Sequence, residues 1–515
     1  MNPPRLLAQA QEHYRVGALD EARAACKRIL QASPSDAGAL TLMAAIAADE
    51  RQTAEGMRWA SLAAAADASA PGPHYVMGRL CQDDGQLGEA EAHYRRAISL
   101  NPDHAKAHNN LGAVLQMQGR LQAAVESYQR ALALDPSLPQ ANQNLASILR
   151  DENAAEKAIA GFQQLLQENP RDAQARTDLA NVYRELGRHR EAIASYGRAI
   201  ACDPDLPEAH FARGIELLLC GEYEEGWREY EWRWRVKAFS SPMRALREPV
   251  WNGERLPGGA ILLHAEQGFG DTLQLVRYAA LVAERCKAVV VECQPQLKRL
   301  LAATPGVTSA HAPGEPLPRF DAHLPMMSLP GVFGTTLRTV PWTGAYVRPP
   351  ADAPRLISSP GPNIGLAWAG EPRQGDDRKR SLTLELLAPL GETPGATFYS
   401  LQKGAGAAQA ASPPAGMRFV DLAPHIHDFA DTAAFIAQLD LIITVDTSVA
   451  NLAGAMAAPT WVLLSTVPDW RYQLQGETTP WYPTMRLFRQ TTDGDWPDVI
   501  ARAAQALRRT SKPFR

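Results

Sequence analysis

The chain has 515 residues, too many for a single hydrophobic core, so several domains are expected. Its formal net charge is −4, with 52 Lys and Arg against 56 Asp and Glu, which argues against a nucleic-acid-binding surface. Six cysteines (Cys26, Cys81, Cys202, Cys220, Cys286 and Cys293) form no CxxC pair and no metal-ligand spacing, so neither a disulfide framework nor a metal site is expected.

The opening residues, MNPPRLLAQAQEHYRVG, lack the apolar core of a signal peptide, and no apolar run is long enough to span a membrane. A cytoplasmic protein is expected. A repeat then sets in. Pro34, Pro102, Pro136, Pro170 and Pro204 fall on one 34-residue grid, together with Ala22, Ala90, Ala124, Ala158 and Ala192. Tyr94, Tyr128, Phe162 and Tyr196 share the grid, as do Leu111, Leu145 and Leu179. A small residue where two helices approach, an aromatic beside it and a proline that stops the second helix resemble the tetratricopeptide repeat. About six repeats run from residue 3 to 206, and a degenerate seventh starts at Pro207. The aromatic-rich stretch from Trp227 to Trp234 closes the array and packs it onto the α/β half of the chain. Its interleaved acidic residues make a base-stacking surface the weaker reading.

Such arrays present a groove lined by the first helix of each unit. Asn110, Asn144 and Asp178 occupy its sixth position in successive repeats. Spaced one repeat apart, they form a ladder able to hold the backbone of an extended peptide, unless they are simply solvated.

From Gly259 the pattern turns to alternating strands and helices. Ala260–His264 reads as a strand, AEQGFGD (265–271) as a glycine-bearing turn, and residues 272–286 as a helix. Another strand is expected at Val289–Cys293 and a helix at residues 295–303. GFGD lacks the full dinucleotide fingerprint and its distant acidic partner, so a dinucleotide fold is poorly supported. Residues 347–362 are proline-rich and read as a linker. A second α/β unit comes next. It has a strand at residues 363–370, a charged loop at 371–381, a strand at 398–401, a helix near 429–439 and a terminal helix at 499–508. Between them LIITVDTSVANLAGA (441–455) gives a strand buried on both faces, then Asp446, then Thr447 and Ser448 at the start of a small-residue helix. A strand that runs into a helix start gathers orphan backbone N–H groups, two hydroxyls and the positive end of the helix, which suits a phosphate. An ordinary capped junction has the same local sequence.

Several of these segments resemble a known family. EQGFGDTLQLVRY (266–278), LAWAGEP (366–372), DRKRSL (377–382), FYSLQKG (398–404), DTSVANLAGA (446–455) and PDWRY (468–472) occur in one order over most of residues 259–509. With the repeats before them they resemble O-GlcNAc transferase, the heptosyltransferases and the bacterial repeat-containing glycosyltransferases linked to flagellin. The resemblance implies an α-solenoid followed by an α/β GT-B fold of two Rossmann-like lobes. The expected domains are 1–238 (repeats), 239–355 (acceptor lobe) and 356–515 (donor lobe). It also implies an inverting, metal-independent transferase that uses a nucleotide-sugar as substrate, with no cofactor, and a polypeptide acceptor, flagellin being the family-based choice. Carried over by position, Asp271 is the general base. Asp446, Thr447, Ser448 and Asn451 contact the donor, with Ser400, Gln402 and Lys403 along the nucleotide and Arg378, Arg380 and Ser381 near the phosphates. Gln267 joins the acceptor side with the Asn110, Asn144 and Asp178 ladder. The heptosyltransferases usually carry histidine where Asn451 stands, and asparagine brings no positive charge to the phosphates. Glu266 and His264 are the alternative bases. The arginine loop also reads as a solvated turn, and Asp271 as a plain helix-start carboxylate. Two other functions remain open: a repeat adaptor with a degenerate transferase domain, and a transferase for lipopolysaccharide or another glycan.

Overall fold

The computed structural model describes residues 3–135, 138–237, 239, 241, 243–349, 357, 359, 361–370, 380–492 and 494–509. The chain falls into two compact units, Met1–Arg188 and His189–Arg515.

The first unit is a helical array from Pro3–Arg15 to Ala173–Glu185. The recurring residues explain its packing. Ala22, Ala90, Ala124 and Ala158 are fully buried, as are Tyr94, Tyr128 and Phe162. Each tyrosine ring lies where a side chain on the neighbouring helix would stand. A Cβ on Gly78 would fall 2.6 Å from Tyr94 and one on Gly112 2.7 Å from Tyr128. The hydroxyls donate back to Gln82 and Gln116 at 2.8 Å, so the buried polar ends are satisfied. Pro102 and Pro170 follow helices that end at Leu100 and Glu168.

The second unit opens with the helices His189–Cys202, Pro207–Leu219 and Tyr223–Tyr230 and a 3-10 turn at Glu231–Arg235. Two parallel sheets come after them. The first contains β1 (Leu256–His264), β2 (Cys286–Glu292), β3 (Ser309–His311) and β4 (Ala322–Pro325) in the order β3-β2-β1-β4. The second contains β5 (Asn363–Ala367), β6 (Thr397–Ser400), β7 (Phe419–Asp421), β8 (Leu441–Val445), β9 (Thr460–Leu464) and β10 (Met485–Arg489) in the order β10-β9-β8-β5-β6-β7. β8 and β9 are buried along their whole length, as the unbroken apolar runs require of central parallel strands. The architecture is therefore an α-solenoid followed by an α/β region.

The helix expected over 272–286 is shorter and broken. It starts at Phe269, turns 3-10 over Val276–Tyr278, resumes at Ala279–Ala283 and gives way to β2 at Cys286. The break lets Arg277 turn inward, where it donates to the carbonyls of Gln274 (2.8 Å) and Trp481 (2.8 Å) and to Tyr346 Oη (2.9 Å). The Tyr223–Tyr230 helix touches both lobes. Trp227 Nε1 donates to the Thr335 carbonyl at 2.9 Å beside the first sheet, and Tyr223 Oη accepts from Trp481 Nε1 at 2.7 Å beside the second.

Candidate functional site

In each sheet the chain starts in the middle, winds outward one way and returns to the other side of its first strand. That reversal opens a crevice at the carboxyl ends of the two central strands, where open α/β sheets bind ligands. The pairs are β1 with β4, and β5 with β8.

The β1/β4 crevice is filled by the chain itself. Arg233, on the turn after the last repeat helix, is fully buried there. It donates to Glu266 from Nε (2.9 Å) and Nη2 (3.2 Å), to Ser328 Oγ (2.8 Å) and to Glu231 (2.8 Å). Glu266 also accepts from the Met327 backbone N–H at 3.0 Å. Burial raises the Glu266 carboxyl above the usual carboxylate range, with the Arg233 guanidinium opposing. His264 lies 3.3 Å from His323, and burial, with His323, Arg244 and Arg233 adding to it, lowers it to about 3. Both alternative bases thus have structural partners.

The β5/β8 crevice is lined by residues 368–370 and 446–448. Gln402 clamps its wall. Its carbonyl oxygen accepts from the Trp368 and Ala369 N–H groups (2.9 Å each), and its amide nitrogen donates to the Ala369 (2.9 Å) and Lys403 (2.7 Å) carbonyls. Every hydrogen-bonding position of this amide is taken, so Gln402 shapes the crevice rather than reaching along a nucleotide. Ser400, expected beside it, is fully buried and accepts from the Gln402 N–H at 3.3 Å. Ser381 Oγ accepts from Gly370 N–H at 2.9 Å. Asn451 is buried as well, donating to the Thr447 carbonyl (3.2 Å) and accepting from Tyr482 Oη (2.9 Å). These four residues position the loops.

Asp446, Thr447 and Ser448 follow directly on the end of β8. Thr447 caps the Ser448–Ala455 helix with extended backbone and no side-chain cap bond, its hydroxyl 3.1 Å from that of Thr444. Ser448 is half-buried, and among the described residues its hydroxyl has no hydrogen-bond partner. Asp446 is half-buried and accepts from Tyr472 Oη at 3.3 Å. Burial and the Asp469 carboxylate push its carboxyl up, against Arg380 and Arg471, whose charges reach it. Lys403 is exposed, with Nζ donating to the Ala423 carbonyl at 3.0 Å. Arg378 lies outside the described residues.

The two lobes meet at these helix starts. The Phe269–Leu275 helix packs on Ser448–Ala455 so closely that a Cβ on Gly270 would fall 2.8 Å from Asn451 Nδ2. Phe269 and Phe429 rings lie 4.9 Å apart, and Arg299 reaches across to Asp428 with a two-pronged contact (2.8 and 2.7 Å) and to Asp431. Asp271 Oδ2 accepts from the Gly268 N–H at 3.0 Å, closing the first turn of its helix. Its Oδ1 accepts from Arg471 Nη2. Gln267 sits one turn earlier, accepting from Tyr230 Oη at 3.3 Å and, through its carbonyl, from Gln294 at 2.7 Å.

Arg471 has no role that its residue type or spacing could suggest. Only 7% of its side chain is exposed, and it bonds Asp271, Asp469 (2.7 Å) and the side-chain carbonyl oxygen of Gln274 while lying 4.6 Å over the Trp470 ring. The segment PDWRY carried the only signal, as one of the resembling stretches.

In the first unit the ladder residues occupy the first helices of three successive repeats. Asn144 Nδ2 donates to Asn109 Oδ1 (3.2 Å), Asn109 Nδ2 to Asn110 Oδ1 (3.0 Å), and Asn110 Nδ2 to Tyr94 Oη (3.3 Å). The bridging Asn109, adjacent to the expected position, makes the first two rungs one network. Asp178 stands apart, accepting from Gln174 Nε2 at 2.9 Å. Burial pushes its carboxyl up to about 7, Gln174 opposing and the Glu126 and Asp172 carboxylates adding to the rise.

Among the described residues no helix is long and apolar enough to cross a membrane, and no cluster of His, Cys, Asp and Glu is arranged to hold a metal. Residues 75–139 match the family model described as tetratricopeptide repeat, and residues 180–215 that described as TPR repeat, so these stretches are tetratricopeptide repeats. The chain is 28% identical over 337 residues to Protein FlbA of Caulobacter vibrioides, covering 59% of this chain and 55% of that protein. It therefore spans little more than half the length of that curated relative. Similar solved structures include YrrB, a TPR protein with an unusual peptide-binding site (20% identity, TM-score 0.24, 36% of this chain and 97% of that one). Others are TTC0263, a thermophilic TPR protein of Thermus thermophilus (20%, 0.25, 42% and 100%), and pilF of Pseudomonas aeruginosa (17%, 0.28, 41% and 96%).

Proposed function

We propose that this chain is an inverting GT-B glycosyltransferase that moves a sugar from a nucleotide-sugar to a polypeptide hydroxyl selected by the repeats. The observation that supports it most is the meeting of two strand-end helix starts at the junction of two parallel-sheet lobes. One carries Asp271 and the other Asp446, Thr447 and Ser448. In this reading Asp271 takes the acceptor proton as the oxygen attacks the anomeric carbon from the face opposite the nucleotide, which inverts the configuration. Negative charge grows on the departing phosphate. The Ser448 helix start, Lys403 and Arg380 stabilise it, and fixed donors act more strongly on that transition state than on the bound donor. Asp446 holds a sugar or ribose hydroxyl. The Asn110, Asn144 and Asp178 ladder binds the acceptor polypeptide, and Gln267, close in sequence to Asp271, is a separate contact to the reacting acceptor residue; flagellin is the acceptor suggested by the resemblance.

The experiment is transfer of a labelled sugar from a panel of nucleotide-sugars to the co-expressed acceptor protein, with Asp271→Asn alongside. Asparagine preserves the helix-start hydrogen bond but cannot take a proton, so turnover falls by about 10²–10⁴-fold. Undiminished transfer by this variant assigns the base elsewhere. Donor hydrolysis without protein labelling points to a glycan acceptor, and neither activity to an adaptor.

A further inference from the structure

Arg471 is a buried cation held between carboxylates that belong to opposite lobes. Its Nη2 donates to Asp271 beside the first sheet, its Nη1 pairs with Asp469 on its own loop, and its Nε donates to Gln274. The next residue, Tyr472, donates to Asp446, which directly precedes the helix start at Thr447 and Ser448. The guanidinium thus holds the proposed base, and its charge reaches Asp446, the residue before the proposed phosphate site. A second feature marks the same place. Gln274 is fully buried, its side-chain carbonyl oxygen holds Arg471, and the nitrogen of the same amide has no hydrogen-bond partner among the described residues. A buried amide N–H without an acceptor costs free energy that an incoming oxygen recovers.

We infer that Arg471 is shared between Asp271 and the donor's diphosphate: Asp271 holds the guanidinium while the site is empty, and the diphosphate takes it over on binding. The inference rests on the glycosyltransferase reading and adds an order of events to it. A diphosphate carries more charge than a carboxylate and offers two adjacent oxygens to the planar guanidinium, so the exchange runs toward the nucleotide. Oδ1 of Asp271, released from Arg471, is then open to an acceptor hydroxyl, while Oδ2 stays on the Gly268 N–H and keeps the carboxylate in place. Before the donor arrives, Oδ1 is occupied. No bond is made or broken in the exchange, and Arg471 acts through Asp271 as a positioning residue.

Calorimetric titration of the full chain with UDP, GDP, ADP and dTDP tests this without reference to turnover. Asp271 and the diphosphate compete for one cation, so Asp271→Asn tightens the best-binding nucleotide about tenfold. Arg471→Met weakens it by at least that factor, and Asp271→Asn then has no effect in the Arg471→Met background. Arg471→Lys keeps the charge with a single head and falls between wild type and Arg471→Met, which separates loss of the cation from loss of the fold. Affinity unchanged within twofold in Asp271→Asn overturns the sharing and leaves the donor site standing. A wild-type chain that binds none of the four nucleotides overturns the sharing; CMP, titrated in parallel, then decides the donor site, which stands if CMP binds and falls if it does not.

Discussion

Glu266→Gln removes one charge from a fully buried ion pair of the α/β half, and its cost follows from the surroundings. Arg233 is 0% exposed and the Glu266 side chain 1%, so neither ion has solvent to fall back on. The glutamine keeps one oxygen for the Met327 N–H or for Arg233, but its new NH2 group faces guanidinium donors. Removing one partner of a buried pair costs about 3–5 kcal/mol because the other charge is stranded. Arg233 keeps Glu231, Ser328 and the Tyr230 carbonyl, which places the loss near the lower end, about 3 kcal/mol. For a unit of this size that lowers the unfolding temperature by roughly 4 °C. Thermal unfolding followed by tryptophan fluorescence reads it directly, since Arg233 stacks over Trp234 at 4.5 Å. The double variant Arg233→Met with Glu266→Leu recovers most of the loss, because no buried charge is left without a partner: Glu231, which also loses Arg233, is half exposed and keeps Ser328. A loss below about 1 kcal/mol for Glu266→Gln, the size of an exposed pair, would refute the argument.

Asp446→Ala and Lys403→Ala each weaken nucleotide-sugar binding by roughly 1.5–3 kcal/mol, as calorimetry measures; unchanged affinity in both moves the donor elsewhere. Alanine at Asn110, Asn144 and Asp178 together slows transfer to the protein acceptor but leaves nucleotide affinity intact, and equal transfer rates remove the ladder from acceptor binding. Asp178 also makes stability depend on pH. Its folded carboxyl titrates at about 7 against an ordinary value of 3.8, so the folded state holds the extra proton between them. Its contribution is full below about pH 4 and is lost as pH rises to about 7. Melting curves from pH 4 to 8 show that decline for wild type and a flatter profile for Asp178→Asn.

What the sequence exposes is whatever repeats or runs locally. The 34-residue grid places helix pairs because each recurring alanine and tyrosine meets the residue that its own repeat supplies. β8 is legible because five consecutive residues, four of them apolar and four β-branched, admit few other readings. The arginines are illegible for the opposite reason. Arg233 and Arg471 resemble surface residues in any local window, and they are buried because their partners stand 33 and 200 positions away. Arg277 broke an expected helix in the same way, through Trp481, 204 residues on. The Gln402 clamp shows the related limit for the site. Residue type and order suggest a ligand contact there, whereas only the geometry reveals that all its hydrogen-bonding groups are engaged by backbone.

The Tyr223–Tyr230 helix bears on how such a chain can be taken apart or recombined. By sequence it is the last element of the repeats, yet Trp227, Tyr223 and, just beyond, Arg233 serve the two sheets. The array and the α/β half are therefore not cassettes that can be cut and rejoined where the periodicity ends. A fragment cut at residue 239 loses the cation that fills the first crevice and the aromatic wedge that touches both lobes. One that begins at His189 keeps them. For chimaeras that graft a foreign repeat array, the joint belongs upstream of this helix, so that the array's final turn travels with the sheets.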